Sequence, residues 1–362
     1  MLGFKSNVRV GLDIGSHAIQ LVVAEKHGDR SRLIGAWSRD IYTASNDRYD
    51  LDGPKKMQIV PIVLDMFREA GVRPKRVAHL GSCLSGLNMA TKEIRSLQMP
   101  DDEMASSLTQ EGRKHLPLDG SELVVDYQIL GDDTREADKV RVLLAVTTKR
   151  TLDAHLDVLR ELELKPGVVD LEPLACVNAY MVTGELPDEG VVCFLNIGAR
   201  RTNLVIVGRK DMYFSRDLPV AGWSFTEDLM TRLNATFAQA EEIKHRQGLT
   251  AKDLKPMAGT EGMTVASSLA LSDKSPLDKL YDEINRSIRY YVKETGQSGI
   301  MKFVLFGGSA ASQELCDYLA NRFSVPVDAH DPFKALEGHA DVRNRPQFAA
   351  AVGLALRAQA IY

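Results

Sequence analysis

Residues 8–24 and 191–207 align without a gap when Leu12 is set on Leu195, and this internal repeat limits the chain more than any other feature. Ile14 then meets Ile197, Gly15 meets Gly198, Leu21 meets Leu204 and Val22 meets Val205. Each copy reads as an apolar strand, a small polar turn and a second apolar strand, which is a hairpin signal. The turns are not of the two-residue Asn-Gly kind. The first strand ends in an acid or amide (Asp13, Asn196), then isoleucine, then glycine, then a short polar run. Glycine lets a backbone come close to something, and the polar run offers N–H groups and hydroxyls to an anion. One such hairpin would read as an ordinary turn. Two facing each other would hold one polyphosphate between them.

A third glycine turn points the same way. Residues 301–306 have a buried-strand pattern, Gly307, Gly308 and Ser309 follow, and a helix is expected through Ala320 with Leu315, Tyr318 and Leu319 on one side. A strand–glycine–helix turn brings bare backbone and a helix N-terminus to a ligand. The remaining pattern is mixed α/β. Helices are expected near 55–70, 102–115, 149–162, 172–183, 224–247, 276–295, 309–322 and 346–360, further strands near 76–80, 122–130 and 139–147, and a loop over 248–275.

At 362 residues the chain suits two lobes. A formal net charge of −4 argues against nucleic acid as the main partner, and Arg73-Pro74-Lys75-Arg76 reads as a solvated loop. The four cysteines, Cys83, Cys176, Cys193 and Cys316, have no metal-ligand or CxxC spacing. They read as small buried hydrophobes in a reducing compartment. No apolar run reaches signal-peptide or membrane-spanning length. The expected location is the cytoplasm, with no direct transmembrane insertion; a partner or a short amphipathic end would supply any membrane contact.

Together these motifs resemble the superfamily of actin, sugar kinases and heat-shock chaperones. Asp13-Ile14-Gly15-Ser16 looks like its first phosphate loop, residues 196–203 like its second, and Phe306-Gly307-Gly308-Ser309 like its adenosine motif. Glu172-Pro173-Leu174-Ala175 and residues 348–355 look like its two connecting helices. Within it the chain is similar to the PilM family, with FtsA a relative, on residues 124–130, 168–175, 203–207, 214–219 and 240–244. The resemblance implies an actin-like α/β fold of two lobes with duplicated RNase H-like cores and an FtsA-type inserted α/β module. The expected division is 1–87, 167–189 and 346–362 for the first lobe, 88–166 for a peptide-binding module of β-α-β-β-α order, and 190–345 for the second lobe, its nucleotide-capping part at about 223–298.

The resemblance also implies ATP with Mg²⁺. Asp13 would hold the metal through water, and Ser16 with the backbone after Gly15 would bind phosphate oxygens. Gly198, Ala199 and Thr202 would close from the other side. Glu172 would stand near the metal and the attacking water, and Gly307, Gly308 and Ser309 would contact adenosine and the α-phosphate. Glu241 and Lys244 would face ribose and base, although their spacing equally suits a surface ion pair. Two positions depart from the family pattern: Asn196 replaces an acid and Gln20 a lysine. Turnover is therefore expected to be very slow or absent, with His17, Arg200 and Arg201 leaving positive charge in or beside the loops. The implied role is a cytoplasmic scaffold peripheral to the inner membrane, binding the N-terminal peptide of a PilN-like membrane protein, with pilus motor or platform proteins as further partners. The strands near 122–130 and 139–147 are the candidates for pairing with that peptide. The rival readings are an FtsA-like filament former or secretion-system scaffold, an active ATPase, and a small-molecule kinase.

Overall fold

The computed structural model describes residues 7–28, 30–42, 56–86, 88–115, 122–133, 136–251 and 274–357. The chain opens with strands β1 (Val8–Ile14), β2 (Ala18–His27) and β3 (Arg30–Asp40), helix α1 (Lys56–Glu69) and strand β4 (His79–Leu84). Next come β5 (Met89–Leu97), α2 (Asp101–Gly112), β6 (Leu123–Asp132), β7 (Lys139–Thr148) and α3 (Lys149–Glu161), followed by β8 (Val168–Leu171) and α4 (Glu172–Met181). The second half holds β9 (Val191–Ile197), β10 (Thr202–Val207), β11 (Phe214–Leu218), α5 (Gly222–Leu233), α6 (Phe237–Gln247) and α7 (Pro276–Thr295). It ends with β12 (Ile300–Phe306), α8 (Gln313–Phe323), β13 (Val327–Ala329) and α9 (Ala349–Arg357).

The repeat extends beyond the hairpins. The first sheet has the order β3-β2-β1-β4-β8 and the second β11-β10-β9-β12-β13. Each is an antiparallel three-strand meander whose first strand pairs in parallel with the next strand in the sheet, and that strand with the last. The two-lobe, duplicated-core fold is thus present. Strands β1 and β9 are buried along almost their whole length, as expected of sheets covered on both faces.

The third sheet, β5-β7-β6, belongs to the inserted segment. Val140, Val142, Leu144 and Val146 alternate along β7 and pack with Met104 and Leu108 of α2. Strand β7 pairs on both sides, which removes 139–147 as a candidate for peptide pairing and leaves β6 at an edge. Helix α3 packs elsewhere: Leu159, with Leu162 and Leu164 beyond it, joins Val10, Leu12 and Phe67 in the first lobe's core.

Some expected boundaries shift. The single helix over 224–247 is two, because Asn234 adopts a left-handed conformation (φ 48°, ψ 44°) and Thr236 starts α6 with a capping box to Gln239. The helix after Ser309 begins as a 3₁₀ turn over Gly308–Ala311. The strand near 76–80 starts later, after a 3₁₀ turn at Pro74–Arg76. Most of the expected 248–275 loop, residues 252–273, lies outside the described residues, as do residue 55 and the end of the last expected helix.

Helices α4 and α9 cross where the lobes meet. A Cβ on Gly353 would lie 1.9 Å from the Ala175 carbonyl oxygen, and one on Gly11 1.9 Å from that of Ala351. Backbone contact this close admits no side chain. Gly353→Ala should therefore lower stability by about 1–3 kcal/mol or more. A denaturant midpoint equal to that of the unaltered chain would contradict this packing.

Candidate functional site

The two hairpin turns are built alike. The strand ladders end at Ile14 opposite Ile19 and at Ile197 opposite Thr202. Between them Gly15 N–H donates to the Ala18 carbonyl at 3.0 Å, and Gly198 N–H to the Arg201 carbonyl at 3.0 Å. The start of α5 braces the second turn: Gly222 N–H donates to Gly198 O at 2.9 Å and Trp223 N–H to Ala199 O at 2.8 Å. The third glycine turn sits against the second. Gly307 has φ +88°, and a Cβ there would meet Ile197 O at 2.4 Å.

These turns enclose a cavity of about 1310 Å³. Asp13, Gly15, Ser16, Glu172, Asn196, Gly198, Ala199, Glu241, Lys244, Gly307, Gly308 and Ser309 all line it. Thr202 does not: its side chain is fully buried and its hydroxyl donates to Val220 O at 2.7 Å. It is the counterpart of Ile19, a core residue, so the alignment itself assigns Thr202 to the strand rather than the turn. Sequence reasoning missed Trp223, His155, Asn344 and Gln347, which also line the cavity. Trp223 adjoins a recognisable helix start. Asn344 lies in an irregular segment where no periodicity marks it, yet its side-chain amide donates to Gly308 O at 2.8 Å.

Two carboxyl groups face this space, Asp13 buried and Glu172 half-buried. Among the described residues Asp13 is held by a long contact from the Cys83 thiol at 3.5 Å, and burial pushes it up to about 6. Glu172 stands higher, raised first by burial and then by Asp13; the Asn196 amide, donating to Glu172 at 2.7 Å, opposes the rise. Asn196 therefore does more than omit a charge. Its amide nitrogen also reaches Asn203 Oδ1 at 3.2 Å, and Asn203 donates to Asp217 at 2.6 Å. On α6, Lys244 donates to Glu241 at 2.5 Å and to Thr226 at 2.7 Å. Burial alone would raise Glu241, but hydrogen bonds from His245, Lys244 and Thr226 outweigh it and hold the group at about 2. His155, against Ser82 at 3.0 Å, is pushed down to about 4 by burial and is neutral near pH 7.

The arrangement fits a nucleotide. Three glycine turns bring backbone to one space, and at Gly308 a Cβ would meet nothing within 4 Å. For a magnesium ion the protein's donor set is thin. Among the described residues no three His, Cys, Asp or Glu side chains are grouped to hold a metal. Glu172 is engaged by an amide, which leaves Asp13 as the carboxylate beside the first turn.

Residues 11–269 match the family described as type IV pilus assembly protein PilM. The chain belongs to the PilM family. Residues 193–353 also match the cell division protein FtsA. Two curated relatives are FtsA from Pseudomonas aeruginosa, 26% identical over 205 residues, and FtsA from Neisseria meningitidis serogroup B, 26% identical over 200. The matches take in 54% and 53% of this chain and 48% of each relative, so the chain spans about half the length of the curated relatives it matches. Among solved structures, the PilM–PilN type IV pilus biogenesis complex has a chain with TM-score 0.77 and 25% identity, over 97% of this chain and 98% of that one. MreB5 of Spiroplasma citri, bound to AMPPNP, gives TM-score 0.51 and 12% identity over 97% of this chain and 95% of that one; it shares the fold. Among the described residues of this PilM-family chain, no helix is long and apolar enough to cross a membrane.

The Glu172 carboxyl has a pH signature. Glu172 is raised from its ordinary 4.5 to about 8, so the folded chain holds that proton more tightly than the unfolded chain. Its contribution makes stability fall as pH rises from about 4.5 through about 8. Glu172→Gln should flatten that fall, read as the denaturant midpoint against pH. A slope unchanged by the substitution would contradict the assignment.

Proposed function

We propose that this chain is a nucleotide-dependent scaffold of type IV pilus assembly, holding ATP in the interlobe cavity and an extended peptide of a PilN-like inner-membrane protein beside the inserted module. The observation that carries the nucleotide reading is the pair of matching turns, Gly15 and Gly198, facing one cavity closed by the Gly307–Gly308 turn. The structure of a PilM–PilN complex, similar over nearly the whole chain, supports the partner. The scaffold would work on the cytoplasmic side, reaching the membrane through that partner. The proposed nucleotide contacts are those expected from the sequence, less Thr202.

Two strand edges suit an extended peptide. Strand β6 ends the module's sheet and β8 ends the first lobe's sheet. Asp170 on β8 is raised by burial, against the lowering effect of Arg357 at 2.5 Å. Backbone pairing along such an edge would set register, with apolar anchors providing affinity. A peptide disordered when free would bind with modest affinity.

Binding rather than turnover is the role, because the Asn196 amide occupies Glu172. Rapid phosphate release by the unaltered chain would contradict that. Hydrogen exchange on the full chain tests both sites. Non-hydrolysable ATP should slow exchange at 15–18, 198–201 and 307–311. A synthetic peptide from the N-terminus of the PilN-like protein should slow it in β6 and β8. No protection at the turns would overturn the nucleotide site, and none at β6 and β8 would overturn the peptide groove.

A further inference from the structure

Resting on the nucleotide reading above, we infer that this chain binds the polyphosphate with little need of a divalent cation, the positive charge coming from the Arg201 guanidinium. The first support is the donor set. Magnesium takes oxygen ligands, usually one or two carboxylates together with phosphate. Here the position of a second acid is Asn196, whose amide nitrogen points its hydrogens at Glu172 and Asn203. The amide presents N–H hydrogens toward Glu172 Oε1 and Asn203 Oδ1, where a cation would need oxygen lone pairs. Asp13 alone is left at the turns.

The second support is the state of the cations around the cavity. Arg39 is committed to Glu69 at 2.6 Å, and Lys244 to Glu241 at 2.5 Å. Arg201 lines the same cavity, half-buried, and among the described residues it makes no side-chain hydrogen bond or ion pair; Asp217 senses its charge only through space. Its backbone is fixed by the turn, through the Gly198 N–H bond to its carbonyl. A guanidinium presents five N–H donors in a planar fork that matches phosphate oxygens two at a time. Its counterpart in the first turn is Ala18, so the cation is an asymmetry placed on an otherwise repeated frame.

The experiment is calorimetric titration of the full chain with ATP, in magnesium and in excess EDTA. Affinity should differ between the two by less than about tenfold. Arg201→Ala should keep the melting temperature and lose about tenfold or more in EDTA, the scale of one charge-assisted hydrogen-bonding group. Arg201→Lys should recover part of that loss, and serves as the second variant if the alanine form is unstable. Asn196→Asp should make binding magnesium-dependent. A loss in EDTA beyond about tenfold for the unaltered chain, or equal affinity of a folded Arg201→Ala chain in EDTA, would overturn this inference while leaving the nucleotide site standing. No binding in either buffer would overturn both.

Discussion

The backbone contact between α4 and α9 is the constraint on which the rest of the structure depends. Gly353 lies against Ala175 O, and Gly11 and Gly81 lie against carbonyls of Ala351 and Leu354. With no side chains between them, the two connecting helices and the floor of the first sheet form one rigid layer. Residues from both lobes complete it: Ala175, Ala349 and Leu354 share a core with Val192, Phe194 and Phe306. Both helices begin at the cavity, α4 with Glu172 and α9 with Ala349 and Ala350. The joint between the lobes and the back wall of the cleft are therefore the same piece of structure.

The inserted module is tied to both lobes. Its chain enters and leaves through the first lobe, yet β5 is fastened to β11 of the second. The Thr91 hydroxyl lies 2.7 Å from both the Tyr213 and Ser215 hydroxyls. Glu93 holds Arg141 of β7 at 2.6 Å and accepts from Tyr213 N–H at 2.8 Å. Strand β11 also carries Asp217, the end of the hydrogen-bond chain that starts at Glu172 and runs through Asn196 and Asn203. Strand β11 thus touches both the module, through β5, and the hydrogen-bond chain that reaches the cleft.

Much of this was legible in the sequence, for reasons that the residues show. A turn that must present backbone keeps its glycine and its flanking apolar strands, so the repeat survived as a gapless alignment. The connecting helices carry runs of small residues that only close packing explains. What was missed lay where side-chain type misleads. Thr202 has a hydroxyl but occupies a strand position equivalent to Ile19. Strand β5 was expected through the module's β-α-β-β-α order, but its partners were not, because Thr91 and Glu93 find them in the other lobe rather than in neighbouring sequence. Asn234 breaks a helix without glycine or proline, through a left-handed conformation that asparagine tolerates.

The central claim is that a nucleotide lies between the three glycine turns. Gly308 offers the most direct test, since it lines the cavity and a Cβ added there would meet no atom within 4 Å. In a Gly308→Leu chain, calorimetry should show the melting temperature unchanged and ATP binding lost. A folded Gly308→Leu chain that binds ATP as the unaltered one does would contradict the account.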